Sequence, residues 1–540
     1  DAALVEVLRR LDPVKIQGTL IVAFVAQQWA GARGLQRVLQ SERPDELIYV
    51  GRMVPGRVLS TALVTTRFPE QPPGVGVLVS TVARGGLAGE LTKLAAQRHI
   101  PWIQDYSAPL IPRSYLPPPP MPSRVVHLGI ATAWSSSPGE LIDGKDLSDL
   151  AVLLEDYLQG ASQKPALPEA HSIPEPALPA KPETKPAPEV ILKTLIETYG
   201  VSGHEAAVRA AVRQLLPPWA KPTTDSAGNL ILHMAMTPSG ALKPGILFDA
   251  HMDEIGYKVQ SIQSGGDLGV APLGGFLPYF YAGHVAFVHT STGIWPGVVE
   301  LPPNWRQPGI KWPRMRIAGA GAEVSPYRVD VGVRTAADAS ALGIKPGDTI
   351  TIPKKYRTLA GSCVSGRSLD DRVGDAALIS AVWTLGPKPR DREVTFVFST
   401  GEELGLLGAA ALAKRLASEG RVPKYVFAID TFVTSDSPLE SPRFADAKVG
   451  RGFVVRAVDN SEIMPRTLVE RVLRIAQENG IPAQYGVTGG GNDGSAFLRY
   501  GSADIALGWP MRYSHSPGEM IDTRDLDGLA RIVAAIARQW

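Results

Sequence analysis

Most of the second part of the chain alternates between helical spacing of apolar residues and short apolar runs. Residues 190–216 have helical spacing, and Ser202 and Glu205 are placed as a capping box for a second helix there. Residues 229–234 and 245–250 are short apolar runs of the kind that form buried strands. Further along, the pattern predicts a helix from Asp375, a strand from Val394, a helix from Leu407, a strand from Tyr425 and a final helix from Leu526. This alternation predicts an α/β fold in layers around a mixed sheet.

The pattern changes within this part of the chain, where short apolar runs are broken by Gly and Pro. Residues 285–290 and 348–353 are two examples. Short runs between turn residues are typical of a small, mainly β domain. We therefore expect an inserted β domain at 258–362, surrounded by an α/β domain made of 189–257 and 363–540.

A proline-rich stretch precedes the α/β part of the chain. Between residues 161 and 188, eight prolines alternate mainly with Ala, Glu and Lys. Proline fixes φ and removes a backbone donor, so this stretch is unsuited to a helix or a central strand. We expect an extended, solvated linker at 161–188, with a separate domain at 1–160.

The N-terminal region repeats part of the C-terminal sequence. Residues 135–147 read SSSPGELIDGKDL and residues 514–526 read SHSPGEMIDTRDL, and nine of these thirteen positions are identical. Shorter matches keep the same order along the chain, such as 1–4 with 375–378. We therefore expect residues 1–160 to be a partial, diverged α/β copy of the C-terminal half of the main domain.

Composition and charge narrow the range of partners and sites. The 540-residue chain has 55 Lys and Arg against 53 Asp and Glu, so its net charge of +2 predicts neither a nucleic-acid nor a membrane partner. Cys363 is the only cysteine, so a metal site must use His and carboxylates. The longest apolar runs, such as 20–26, are far shorter than the roughly 20 residues that span a bilayer. The sequence starts at Asp1 and not at Met, which leaves room for a removed leader, and we expect a cytoplasmic location.

Two histidines and several acidic residues lie at predicted strand ends or in the loops between elements. They are His251, Asp253, Asp370, Glu402, Glu403, Asp430 and His515. Taken singly, each has an ordinary structural explanation, such as a helix N-terminal carboxylate, a turn residue or a loop histidine. Together they fall in one α/β layer, and open sheets bind ligands at the carboxyl ends of their strands. Two imidazoles and three carboxylates would supply ligands for a pair of divalent cations, and a further carboxylate could move a proton.

Six motifs, in this order and spacing, carry a resemblance to a known family. They are YGVSGHE at 199–205, HMDEIG at 251–256, DDRVG at 370–374, GEELG at 401–405, AID at 428–430 and HSPGE at 515–519. With them, residues 189–540 resemble the glutamyl aminopeptidase family of co-catalytic metallopeptidases, which includes the tetrahedral aminopeptidases. The resemblance implies a metal-dependent aminopeptidase that releases N-terminal residues from short peptides and forms a homo-oligomer.

The resemblance also implies a role for each site residue. Two divalent ions, Zn or Co, would be bound by His251, Asp370, Glu403, Asp430 and His515. Asp370 would bridge both ions and would be joined to Asp371 by a cis peptide bond. Asp253 would orient His251, and Glu402 would be the general base. The inserted β domain would serve in oligomer contacts and in substrate access.

The N-terminal copy lacks the chemical groups at the corresponding positions. In the alignment of the two copies, Glu402 corresponds to Gln28, Glu403 to Trp29, His515 to Ser136 and Asp430 to Gly51. Gln is no base, Trp and Gly side chains bind no cation, and Ser is a poor substitute for imidazole. The sequence therefore predicts a pseudo-enzyme domain at 1–160 that binds no metal pair.

Two other functions stay open on the sequence alone. The first is a non-catalytic scaffold or binding protein with a peptidase fold. The second is a polysaccharide hydrolase, although its carboxylate pair would not require His251 and His515. The glycine-rich loop 489–494 is either a turn or a part of the site that recognises a free amino terminus.

Overall fold

The computed structural model forms two compact units, Asp1–His171 and Ser172–Trp540. It describes residues 1–16, 18–25, 35, 38–39, 41–51, 59–61, 64–66, 72–80, 83, 85–105, 122–133, 140–159, 172–234, 243–276, 280–300, 327–388, 391–437, 440, 442–443 and 445–540. Within these ranges, no helix combines the length and the apolar character needed to cross a membrane.

A six-stranded mixed sheet is the centre of the second unit. Lys243–His251 runs parallel to Arg392–Ser399 on one side and to Tyr425–Ala428 on the other. Leu230–His233 pairs antiparallel with Arg392–Ser399. The strand order is Ala503–Asp504, Tyr425–Ala428, Lys243–His251, Arg392–Ser399, Leu230–His233 and Thr223–Thr224. The three central strands are parallel, so their carboxyl ends, and the residues that follow them, lie at the same edge of the sheet.

Helices cover this sheet and bury its central strands. Phe248 stacks between Phe396 and Phe427, with ring centroids 5.2 and 5.1 Å apart. All three rings are fully buried, as expected for parallel strands covered on both faces. The helices of the sheet-bearing part are Pro188–Ile196, Ala206–Leu215, Leu369–Leu385, Leu407–Ser418, Arg466–Glu478, Ser495–Leu498 and Thr523–Gln539.

The inserted region forms a closed barrel with its own core. Its strands, in order around the barrel, are Gly256–Ile262, Leu268–Leu273, Arg328–Asp330, Gly293–Val299, Val285–Thr290 and Thr349–Thr351. One short helix, Ala336–Ala341, is added to it. Tyr257 and Tyr281 pack edge-on against Phe276, with centroids 5.1 and 5.0 Å away. The barrel coincides with the region expected to be β except for its first two residues, 256–257, which precede that region, and the domain boundaries themselves stay predictions.

Smaller sheets bring distant segments of the second unit together. Glu519–Asp522 pairs antiparallel with Cys363–Gly366, which directly precedes the helix Leu369–Leu385. This pairing places the loop before residue 519 beside the start of that helix. The other small sheets consist of Arg357–Thr358 with Cys363–Gly366, Ala483–Val487 with Phe453–Val458 and Leu507–Gly508, and Phe432–Val433 with Pro510–Met511.

Local expectations fail in two places. The capping box is wrong, because Ser202 donates to Asp253 Oδ2 at 2.6 Å and Glu205 accepts from the N–H groups of Gly203 and Gly401. The helix Ala206–Leu215 has no side-chain cap. The helix expected from residue 375 begins earlier, at Leu369, and its first turn contains two non-helical residues. In both places, groups near the carboxyl edge of the sheet take the hydrogen bonds that local capping would have used.

The end of the proline-rich stretch that the structure describes, residues 172–187, is attached to the second unit. Ile173 exchanges two backbone hydrogen bonds of 2.8 Å with Ile294 of the barrel. Lys185 Nζ donates to Thr384 Oγ1 at 2.8 Å. This end of the stretch therefore packs on folded elements before the helix Pro188–Ile196 begins.

The first unit is also an α/β structure. Its four-stranded sheet has the order Glu46–Val50, Arg124–Gly129, Val77–Ser80 and Trp102–Asp105. Its described helices are Ala2–Arg10, Leu87–Gln97 and Gly144–Gln159, with a 3-10 turn at Pro13–Lys15. Two strand pairs complete it, Leu59–Thr61 with Val64–Thr66 and Thr132–Ala133 with Leu141–Ile142. Val77, Leu91, Val126 and Leu153 belong to its buried core.

Candidate active site

His251 ends the central strand, and Asp253 lies beside both it and the turn after the next strand. His251 Nδ1 lies 3.3 Å from Asp253 Oδ1, and both side chains are buried. Asp253 also accepts from Ser202 Oγ at 2.6 Å and from the N–H groups of Glu402 and Glu403 at 3.0 and 3.1 Å. One buried carboxylate therefore lies against the imidazole and anchors the turn that follows Arg392–Ser399.

Asp370 lies between the two histidines. Its Oδ1 is 3.3 Å from His251 Nε2, and its Oδ2 is 3.5 Å from His515 Nε2. Burial alone would raise the pKa of Asp370, but the neighbouring His251 and His515 rings outweigh it and hold the pKa well below its usual range. The expected cis peptide bond between Asp370 and Asp371 is confirmed.

His515 and Glu403 lie together on the side of Asp370 that is away from His251. His515 Nε2 is 3.2 Å from Glu403 Oε1. The other ring nitrogen of His515, Nδ1, donates to the Gly275 carbonyl, and Tyr281 Oη donates to the His515 carbonyl at 3.1 Å. Because a carbonyl only accepts, the Gly275 contact places a proton on Nδ1 and leaves Nε2 to face the carboxylates.

Asp430 follows the strand Tyr425–Ala428 and lies close to His251 and Asp370. Ligand atoms of His251, Asp370 and Asp430 all lie within 4.8 Å of one another. Asp430 Oδ2 is also 2.8 Å from Nη1 of the buried Arg456. Burial raises the pKa of Asp430 to about 6, opposed by Arg456 and assisted by the charge of Asp370.

Glu402 lies beside His251. Its Oε2 is 3.8 Å from His251 Nε2, and its side chain is 16% exposed. Burial raises the pKa of Glu402 well above its ordinary value; His251 opposes this shift, and the charges of Asp430 and Glu403 add to it. A carboxyl group with a raised pKa, in contact with a cavity, suits a group that takes up and releases a proton.

The donor set fits divalent cations. Burial would lower the pKa of His251, but Asp253 and Asp370 raise it well above its usual value, so the carboxylates around the ring attract positive charge. Asp370 Oδ1 is buried and has no hydrogen-bond donor. Imidazole nitrogens together with carboxylate oxygens are ligands for borderline ions such as Zn²⁺ and Co²⁺.

A cavity of about 730 Å³ opens onto these groups. It is lined by Asp370, Glu402, Glu403, Asp430 and His515. Phe276 and Phe280 of the inserted region, the glycine loop 489–491, and Arg443 and Arg456 also line it. Arg456, which contacts Asp430, also donates from Nη2 to the Gly491 carbonyl at 2.7 Å. Arg456 therefore connects the glycine loop to Asp430.

The structure thus brings all seven expected site residues of the second unit to one edge of the sheet, and their individual roles stay predictions. Of the four N-terminal positions, Gly51 directly follows the strand Glu46–Val50, whereas Gln28, Trp29 and Ser136 lie outside the described residues. Sequence reasoning missed Arg456, although a charged residue in the apolar run FVVRAV was a usable signal. It also missed Gly275 and Tyr281, for which no local signal existed.

An α/β layer domain with histidines and carboxylates gathered at its strand ends defines a class of metal-dependent hydrolases. The chain belongs to the M42 glutamyl aminopeptidase family, whose profile matches residues 228–532. The chain is therefore a peptidase, and the resemblance found in the sequence is confirmed.

Two sequence relatives are aminopeptidases. The lysyl aminopeptidase of Pyrococcus furiosus is 30% identical over 357 residues, which are 65% of this chain and 96% of the relative. The glutamyl aminopeptidase of Lactococcus lactis subsp. cremoris is 28% identical over 334 residues, covering 60% of this chain and 88% of that protein.

Two solved structures share the fold. The Pyrococcus horikoshii TET1 peptidase, described as assembling into a tetrahedron or a large octahedral shell, has a TM-score of 0.57 at 35% identity, covering 66% of this chain and 100% of that chain. An aminopeptidase from Desulfurococcus kamchatkensis has a TM-score of 0.58 at 28% identity, covering 65% of this chain and 94% of that chain. These likenesses support the mixed α/β fold expected from the sequence.

Proposed function

We propose that this chain is a dimetal aminopeptidase that removes N-terminal residues from short peptides. The observation that carries the proposal is the position of Asp370, whose two oxygens face two ligand groups 3.3 and 3.5 Å away. His251 and Asp430 form one group, and Glu403 and His515 form the other. A carboxylate shared in this way is the arrangement expected of a bridging ligand between two cations.

The chain's own groups divide the work of peptide hydrolysis. When bound, a pair of divalent cations, Zn or Co, lowers the pKa of a shared water and polarises the scissile carbonyl. Glu402 accepts the proton of the attacking water and then donates it to the leaving amine. Asp253 supports this step, because it accepts from the Glu402 N–H at 3.0 Å and so holds the base against the cavity.

The cavity wall suits a short peptide with a free amino terminus. Its carboxylates attract the positively charged or metal-facing amine end, whereas Phe276 and Phe280 offer apolar surface to a side chain. The loop 489–491 offers backbone groups along the same wall. These features support recognition of the amino end.

Assembly and location extend the proposal. The P. horikoshii relative is described as a tetrahedral or octahedral assembly, and we infer that this chain also forms a homo-oligomer. Light scattering of the purified chain would measure this, and a monomer at working concentration would contradict it. A cytoplasmic location stays a prediction.

Metal removal tests the proposed chemistry directly. Exhaustive chelation should abolish hydrolysis of aminoacyl chromogenic substrates, and Zn or Co should restore it. A peptide with a free amine should be shortened from that end, whereas its N-acetylated twin should stay intact. Full activity after chelation would contradict the metal mechanism. Absence of turnover in the chain loaded with two cations would favour the scaffold alternative.

We also propose that the first unit is a diverged copy without catalytic function. In each unit, one buried aspartate accepts hydrogen bonds of 2.7 to 2.9 Å from the N–H groups of two glycines. The acceptors and donors are Asp146 with Gly74 and Gly76, and Asp525 with Gly450 and Gly452. Asp146 and Asp525 occupy equivalent places in the repeated sequence. A shared hydrogen-bond clasp of this kind supports common descent of the two folds.

A further inference from the structure

One turn of the inserted barrel packs directly against the candidate site. Gly274 follows the strand Leu268–Leu273 and has φ +87°. A Cβ at this position would lie 2.5 Å from Ile255 Cγ2 and 3.2 Å from Glu403 Oε2. The absence of a side chain therefore lets the backbone of the turn approach the Glu403 carboxylate, and φ in the left-handed region also favours glycine there.

The next residues of the barrel hold His515. The Gly275 carbonyl accepts from His515 Nδ1, and Tyr281 Oη donates to the His515 carbonyl at 3.1 Å. Tyr281 is buried and packs edge-on against Phe276, so its hydroxyl has a defined position. The barrel thus contacts His515 at both its ring and its backbone.

His515 depends on such contacts because its own segment is irregular. It lies in a loop, with φ +57°, between Pro510–Met511 and the strand Glu519–Asp522. Its N–H donates to Glu519 Oε1 at 2.9 Å, and the two barrel contacts fix its carbonyl and ring. Without them, the ring could rotate away from Glu403.

We propose that the turn Gly274–Phe276, with Tyr281, is a positioning element for the one cation that Glu403 and His515 would bind. The inserted barrel then controls how tightly the cation at Glu403 and His515 is bound, in addition to any part in substrate access. This inference rests on the proposed dimetal function and extends it to a residue group outside the α/β sheet.

Two glycine variants form a matched test. Gly274→Ala adds a methyl group against Ile255 and Glu403. Gly347→Ala, in a turn of the same barrel, has φ +99° and open space around the added carbon, so it has the same backbone penalty without the crowding. Purified chains are loaded with Co²⁺, dialysed, and analysed for metal content and for the visible Co²⁺ spectrum.

We expect about two cations per chain in the wild type and in Gly347→Ala, but about one in Gly274→Ala. An effect confined to folding would lower the melting temperature of both glycine variants and leave the metal content of the folded fraction unchanged. Two cations with wild-type affinity in Gly274→Ala would overturn the proposal.

Tyr281→Phe decides the case if Gly274→Ala does not fold. It keeps the ring packing and removes only the hydroxyl, so the second Co²⁺ should bind roughly 3- to 10-fold more weakly, as for one lost hydrogen bond. Unchanged binding of both ions would overturn the role of Tyr281. A wild type that binds two ions without turnover would refute the proposed activity and leave this inference standing. Equal metal content in all variants of an active enzyme would refute this inference and leave the proposed activity standing.

Discussion

The residues that follow two strands, Glu46–Val50 in the first unit and Tyr425–Ala428 in the second, make the same kind of backbone contact but differ in their side chains. The Gly51 N–H donates to the Leu128 carbonyl at 3.1 Å, and the Asp430 N–H donates to the Leu507 carbonyl at 2.9 Å. In the second unit, the side chain at this place is a candidate metal ligand. In the first unit, this position is Gly51, and a Cβ added there would lie 3.2 Å from a Tyr49 ring carbon and press against that ring. The backbone frame is therefore separable from the chemistry that it presents.

A second pair of positions bears on the proposal that the first unit is a diverged copy. Val77–Ser80 and Phe453–Val458 each pair parallel with one strand and antiparallel with another, and Ser80 then corresponds to Arg456. Arg456 is buried and contacts Asp430 at 2.8 Å and Asp459 at 3.0 Å. Losing Asp430 alone would remove one partner of a buried charge, which is costly. If the first unit is the proposed copy, Gly51, Ser80 and Ala83 at the three corresponding positions avoid that cost.

The largest expected effect separates the two adjacent glutamates of the second unit. Glu402→Gln should keep both cations and lower kcat by roughly 10²- to 10⁴-fold, because it removes a proton acceptor and not a ligand. Glu403→Gln should lower metal content first. Metal analysis alongside kinetics measures both, and equal loss of metal in the two variants would show that this division of roles is wrong.

The next effect comes from placing residues of the first unit at the corresponding positions of the second unit. Asp430→Gly should lose hydrolysis and be destabilised by less than the roughly 3 kcal/mol of an unpaired buried charge, because Arg456 loses one buried partner and keeps Asp459. The triple variant Asp430→Gly, Arg456→Ser, Asp459→Ala copies all three positions and should be more stable than the single variant while remaining inactive. Urea unfolding of the cation-free chains measures this order, and a triple variant less stable than Asp430→Gly would contradict the coupling of these losses.

A smaller effect compares the two aspartate clasps. Asp146→Ala and Asp525→Ala each leave two backbone N–H groups without their acceptor, which costs about 2 kcal/mol. We expect Asp525→Ala to lower both the stability of the second unit and hydrolysis. Asp146→Ala should affect the first unit alone. Hydrogen exchange at Gly74 and Gly450 reports each clasp locally. A loss of kcat in Asp146→Ala as large as that in Asp525→Ala would argue against a non-catalytic first unit.

The smallest effect is the contribution of Asp525 to the pH dependence of the unfolding free energy. Burial raises the pKa of Asp525 to about 7, although the Gly450 and Gly452 N–H groups oppose this shift. A carboxyl group whose pKa is higher in the folded than in the unfolded state favours folding when protonated, so its contribution falls as pH rises from about 4 to 7. Unfolding free energies at pH 5 and pH 8 should differ less in Asp525→Asn than in the wild type. An equal difference in both proteins would contradict the assignment.

Much of the second unit could be predicted because its signals are local. The apolar run before His251 predicted a buried strand, and the six short motifs carried the family resemblance, which implied the cis bond after Asp370 that the structure contains. The failures occurred where a local signal competed with a distant partner. Ser202 has the spacing of a helix cap, yet its hydroxyl contacts Asp253, 51 residues away. The carboxylate there is buried and needs donors, so it outcompetes a helix end that water can solvate.

The sequence by itself determined the elements, the family and the set of chemical groups, because spacing and residue type encode period, turn and ligand chemistry over a few residues. Only the tertiary structure decided that Asp370 lies between two histidines, that Arg456 holds Asp430, and that the barrel contacts His515. The contact between Gly275 and His515 joins residues 240 positions apart. Such contacts depend on how the sheet, the helices and the inserted barrel pack together, and no short stretch of sequence specifies that packing.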